Sequence, residues 1–126
     1  MKINVRKFIS KYIDCKVTYN YWFAMAAAYK DTIFINPKEF KRQSLIKQKS
    51  ILLHEIGHLV CRHHNKPKRA RKLGYHEYEA QKWAYYNTNN IRIKKDIVQR
   101  LIYWTTLDDF SREYRNAGRI YLRKGI

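Results

Sequence analysis

The sequence predicts a small α+β domain, in which a short β-hairpin packs on a buried helix and further helices follow it. Two runs rich in β-formers flank the polar pair Lys30-Asp31, apolar residues recur at helical spacing on either side of that hairpin, and no repeat or Gly/Ser/Pro-rich linker interrupts the chain. At 126 residues there is room for one core and too little for two, so residues 1–126 read as a single domain. With 45% hydrophobic residues, eleven tyrosines and three tryptophans, the chain has enough apolar surface to offset its ordering entropy.

Val5, Phe8, Ile9, Tyr12 and Ile13 fall at helical spacing and predict an opening helix over residues 5–13. Residues 15–21 then alternate as a strand. Residues 23–29 and 32–36 form the hairpin, which Pro37 ends. Ser44 is a candidate N-cap, and Leu45, Ile46, Ile51, Leu52, Leu53, Ile56, Leu59 and Val60 build a helix apolar enough to be largely buried. A basic connector over residues 66–72, followed by Gly74, predicts a loop. Helices are then expected over residues 76–87, 91–104 and 107–117, with a turn at 87–90 and Gly118 stopping the last.

Lys and Arg number 27 against ten acidic residues, a net charge of +17 that draws the chain towards nucleic acid or acidic proteins without choosing between them. The apolar run over residues 21–29 is far shorter than a bilayer span, and the first ten residues lack a signal-peptide core, so no membrane association is expected. Two cysteines, Cys15 and Cys61, are too few for a disulfide framework and suit a reducing compartment. The expected location is the cytoplasm.

The most apolar helix contains His54-Glu55-Ile56-Gly57-His58, an HExxH motif. Residues four apart share a helix face, so His54 and His58 can bring two imidazoles to one zinc ion, while Glu55 lies off that face where it can take a proton from the attacking water. Burying three such polar groups without partners would be costly, and a metal removes that penalty. Gly57 inside the helix predicts close approach of another segment beside the metal. Catalytic zinc takes a third protein ligand. With Ala80, Trp83 and Ala84 setting the inward stripe of the next helix, counting back favours Glu79, with His76 second and Glu77 off the stripe. His63, half a turn out of phase with His54, is expected at the surface together with His64, and Cys61 as packing below the site. Tyr75, His76 and Tyr103 are candidate oxyanion donors. The hairpin strand ending at Asn36 offers an edge to which an extended substrate can add.

Three pieces in order, Ile33-Phe34-Ile35-Asn36, Leu53-His54-Glu55-Ile56-Gly57-His58-Leu59 and Glu77-Tyr78-Glu79-Ala80-Gln81-Lys82-Trp83-Ala84, resemble the ImmA/IrrE family of metallopeptidases. The resemblance covers about residues 32–86, with Trp83 standing for the usual Phe and Tyr85-Tyr86-Asn87-Thr88 where the family carries a Leu-Met-Pro-like stretch. It implies a zincin-like fold, zinc held in gluzincin fashion by His54, His58 and Glu79, and Glu55 as catalytic base. It further implies a cytoplasmic endopeptidase acting on a regulatory protein such as a DNA-bound repressor, in a phage, mobile-element or stress setting.

Two other readings share these residues. An SprT-like, DNA-associated metalloprotease would use His76 as third ligand, although the chain has no CxxC pair for the zinc ribbon such proteins carry. A basic nucleic-acid or partner-binding module with a non-catalytic metal site would use residues 66–72 together with Arg112, Arg115, Arg119 and Arg123 as a non-specific binding face.

Overall fold

The computed structural model describes residues 3–21, 25–63 and 75–106, together with 119, 122 and 123. Helix α1 (Val5–Ser10) starts at Asn4, whose side chain accepts the Lys7 N–H at 3.1 Å. It is shorter than the apolar spacing predicts. The Tyr12 and Ile13 amides both return to the Ile9 carbonyl, at 2.9 and 3.1 Å, so a tightened turn keeps Tyr12 and Ile13 against the core after the helix ends.

The hairpin forms as the sequence predicts. Strands β2 (Ala26–Tyr29) and β3 (Thr32–Ile35) pair antiparallel around Lys30-Asp31, where Lys30 takes the left-handed conformation at φ 56°. Strand β1 (Lys16–Tyr19) lies parallel to β3, with Val17 opposite Ile33, and the sheet order is β1-β3-β2. This corrects the expectation of a free edge on the strand ending at Asn36. Both edges of β3 are paired, and β2 bonds only to β3 among the described residues.

Asn36 does more than end the strand. Its side chain accepts the N–H groups of Lys38 and Glu39 at 3.1 and 3.3 Å and opens a short helix, α2 (Pro37–Lys41), with Pro37 at its start. Pro37 is expected only to end the hairpin, yet proline at the first helical position after a capping Asn is also a helix start.

Helix α3 (Leu45–Val60) is the central element, capped by Ser44 as expected, with the Lys47 N–H bonded to the Ser44 hydroxyl at 3.2 Å. Ile51, Leu52, Ile56 and Leu59 pack against Ile33, Ile35, Val17 and Ile9 from the sheet and α1. On its other side Leu53 meets Ala84, Ile93 and Ile97. These come from α4 (Tyr75–Tyr86) and α5 (Ile91–Trp104), the latter capped by Asn90 through the Arg92 and Ile93 amides. The helix expected over residues 107–117 and the basic connector at 66–72 lie outside the described residues.

Gly57 sits where α3 and α4 cross. A Cβ at this position would lie 2.6 Å from the Ala80 carbonyl oxygen and 3.0 Å from its Cα, which is backbone and cannot swing aside. The glycine therefore sets the spacing of the two helices that carry the candidate ligands, as its place in the motif predicts. Among the described residues, no helix is long and apolar enough to cross a membrane.

Candidate metal centre

Helix α3 presents His54 and His58 one turn apart, with their Nε2 atoms 3.1 Å from each other and their rings at 89°. Helix α4 runs back past them and supplies the third group. That group is Glu77, whose carboxylate oxygens lie 2.7 Å from His54 Nε2 and 3.2 Å from His58 Nε2. Neither Glu79, the expected third ligand, nor His76 lies with them. Glu79 Oε2 lies 3.3 Å from His63 Nε2, and His76 stacks on His63 with ring centroids 4.2 Å apart.

The reason is the phase of α4. Ala80 touches Gly57, Ala84 packs on Leu53, and Gln81 is fully buried against His54, so the face towards α3 runs through 77, 80, 81 and 84. Trp83 was counted as part of that face. It lies instead on the flank, edge-on to Tyr12 at 5.8 Å. Counting back four from Gln81, and not three or four from Trp83, arrives at Glu77.

Hydrogen bonding fixes the His54 ring. Gln81 Nε2 donates to the Ile97 carbonyl at 3.1 Å, which turns Gln81 Oε1 towards His54 Nδ1 at 2.7 Å. An amide oxygen only accepts, so Nδ1 carries the proton and the lone pair of neutral His54 is on Nε2. That lone pair faces a carboxylate oxygen at 2.7 Å. Two acceptors so close require a positive species between them. One proton would join two atoms; a divalent cation could be held by all three of His54 Nε2, His58 Nε2 and the Glu77 carboxylate, whose ligand atoms lie within 4.8 Å of one another. Two imidazoles and one carboxylate are also the donor set of catalytic zinc, whose bonds of roughly 2.0–2.1 Å hold ligand atoms slightly farther apart than these are.

The electrostatics agree with the geometry. Burial works against a charged His54 ring, but the Glu77 hydrogen bond and charge, together with Glu55, outweigh it and raise its pKa above the ordinary histidine value. Burial works against the Glu77 carboxylate too, and the hydrogen bonds from His54 and His58 overcome it, holding the acid well below the usual carboxylate range. Glu55 stands apart from this pair. Burial pushes its carboxyl upwards, with His54, His58 and Arg100 opposing, and it accompanies His54 and His58 in the wall of an 810 Å³ cavity.

The same cavity is lined by Met25, Ala26, Ala27 and Ala28 on one side and by Arg100, Tyr103 and Trp104 on the other. The side of β2 away from β3 therefore belongs to an element bordering the site. Of the three candidate oxyanion donors, Tyr103 lines the cavity, His76 is held against His63, and the Tyr75 side chain lies outside the described residues. Trp104 sets its edge against His54 at 5.6 Å.

His63, expected at the surface, is only 5% exposed. The expectation carried the helical phase past the end of α3. In fact Cys61 is the C-cap and Arg62 turns into the left-handed region at φ 54°, folding His63 back beneath His58. Burial lowers the His63 pKa to about 4, against the opposing hydrogen bond from Glu79. Cys61 groups with His63 and Glu79 in a second cluster of metal-ligating side chains. No family model, no curated protein and no solved structure matches this chain.

Proposed function

We propose that this protein is a zinc-dependent endopeptidase of the ImmA/IrrE-like kind, with His54, His58 and Glu77 as ligands and Glu55 as catalytic base. The observation that carries the proposal is the convergence of two imidazole nitrogens and a carboxylate at 2.7, 3.1 and 3.2 Å beside a buried glutamate in an open cleft. Zinc bound there would act as a Lewis acid, lowering the pKa of water and polarising the scissile carbonyl.

The chain's own residues do the rest. Glu55, with its basicity raised by burial, takes the proton from the attacking water and returns it to the leaving amine. Gln81 keeps His54 in the tautomer that offers Nε2. Tyr103, on the cavity wall, is the candidate donor to the developing oxyanion. An extended substrate segment adds to β2, the edge strand, and lies along the cleft between Ala26–Tyr29 and α5.

The proposed substrate is an acidic or DNA-associated intracellular protein of the repressor type, since a chain carrying +17 would be steered to such a partner electrostatically. The SprT-like arrangement is less well supported, because His76 is stacked on His63 while Glu77 approaches both motif histidines. The purely binding reading gives no role to Glu55 in the cleft wall.

The test is cleavage of a diverse peptide library, read by mass spectrometry. Zinc-loaded protein should cut internal peptide bonds, stop on chelation and resume on zinc addition. Zinc-loaded protein that cuts neither the library nor repressor-type proteins would contradict the peptidase reading.

A further inference from the structure

We propose that Glu79 and His63 form a hydrogen-bond relay that locks His58 in the tautomer able to bind metal through Nε2, so that both are positioning residues and neither is a ligand. This inference rests on the zinc reading of His54, His58 and Glu77.

His58 Nδ1 lies 2.7 Å from His63 Nδ1, and His63 Nε2 lies 3.3 Å from Glu79 Oε2. An ionised carboxylate only accepts, so the His63 tautomer that fits it carries its proton on Nε2 and its lone pair on Nδ1. His58 must then donate from its own Nδ1. Its Nε2 is left with a lone pair, and that atom is the one facing His54 Nε2 at 3.1 Å and Glu77 at 3.2 Å. The relay does for His58 what Gln81 does for His54.

Two further features hold His63 in this role. The ring stacks on His76 with planes 4° apart, which fixes its orientation. Arg62, a non-glycine residue at φ 54°, supplies the reversal that brings the ring under His58. A left-handed arginine is uncommon and carries backbone strain, and such strain collects where a side chain must be aimed.

The relay also decides the fate of the Cys61, His63 and Glu79 cluster. With its Nε2 proton committed to Glu79 and its Nδ1 lone pair to His58, this His63 tautomer has no lone pair free for a second ion. Among the described residues, that leaves His54, His58 and Glu77 as the one group able to hold zinc.

Two measurements on full-length protein test this. Long-range proton–nitrogen NMR of the zinc-loaded wild type should show His58 protonated on Nδ1 and His63 on Nε2. Zinc competition against a chelating dye should show roughly 10–100-fold weaker binding for His63→Leu, the usual effect of losing an outer-shell partner. His63→Asn, whose amide oxygen can stand where Nδ1 accepts, should recover most of that loss. A His63 protonated on Nδ1, wild-type affinity in His63→Leu, or a second zinc in the wild type that is lost in His63→Leu would each overturn the relay while leaving the primary site standing. Absence of zinc binding by the wild type would remove the primary site and the relay with it.

Discussion

Glu77→Ala is expected to abolish tight zinc binding, whereas Glu79→Ala is expected to weaken it by no more than the roughly 10–100-fold typical of an outer partner. The difference follows from position. The Glu77 carboxylate reaches both motif histidines at 2.7 and 3.2 Å, and Glu79 reaches His63 at 3.3 Å. Removing a charged ligand from a three-residue set leaves two neutral imidazoles, which hold a divalent cation poorly. Equilibrium dialysis with metal analysis checks both variants side by side. Loss of zinc in Glu79→Ala with retention in Glu77→Ala would return the site to the arrangement first read from the sequence.

The second large effect is expected in Glu55→Gln, in which peptide hydrolysis should fall by roughly 10²–10⁴-fold, the usual contribution of a general base. Zinc content and thermal midpoint should stay near those of the parent. Glu55 is buried in the cavity wall and Glu77, not Glu55, bridges the histidines, so the amide can occupy the same volume without disturbing the ligands. The two predictions separate metal binding from chemistry. A zinc-loaded Glu55→Gln protein that hydrolyses at the parent rate would exclude Glu55 as the base.

Much of the arrangement was legible in the residues. The hairpin around Lys30-Asp31, the Ser44 cap, the buried HExxH helix and the close approach at Gly57 each followed from local chemistry or from apolar spacing dense enough to set a phase. Helix α5 was read over the residues it occupies, Ile91–Trp104. The placement of Glu77 beside the motif histidines, where Glu79 is expected, was not legible because the residue that sets the phase of α4 is polar. Gln81 is fully buried to serve His54, and an apolar stripe that leaves it out rotates towards Trp83 and brings in Glu79. Beside a metal site, a buried amide that holds a histidine ring belongs to the inward face of its helix.

His63 was missed for a different reason. A single left-handed residue at Arg62 reverses the chain, and nothing about an arginine announces that conformation. The parallel pairing of β1 with β3 was likewise outside the reach of local pattern, since it joins segments on opposite sides of β2 in the chain. That pairing determines which strand borders the cleft. The short helix α2 did have a signal, the Asn36-Pro37 pair, which was assigned only one of its two meanings.

X-ray absorption spectroscopy of the zinc-loaded protein reports the identity of the atoms around the metal. One zinc per chain with only nitrogen and oxygen neighbours at roughly 2.0–2.1 Å is the predicted result, from His54, His58 and Glu77. A sulfur neighbour at roughly 2.3 Å would put the ion at Cys61, His63 and Glu79 instead, and would contradict the proposed centre.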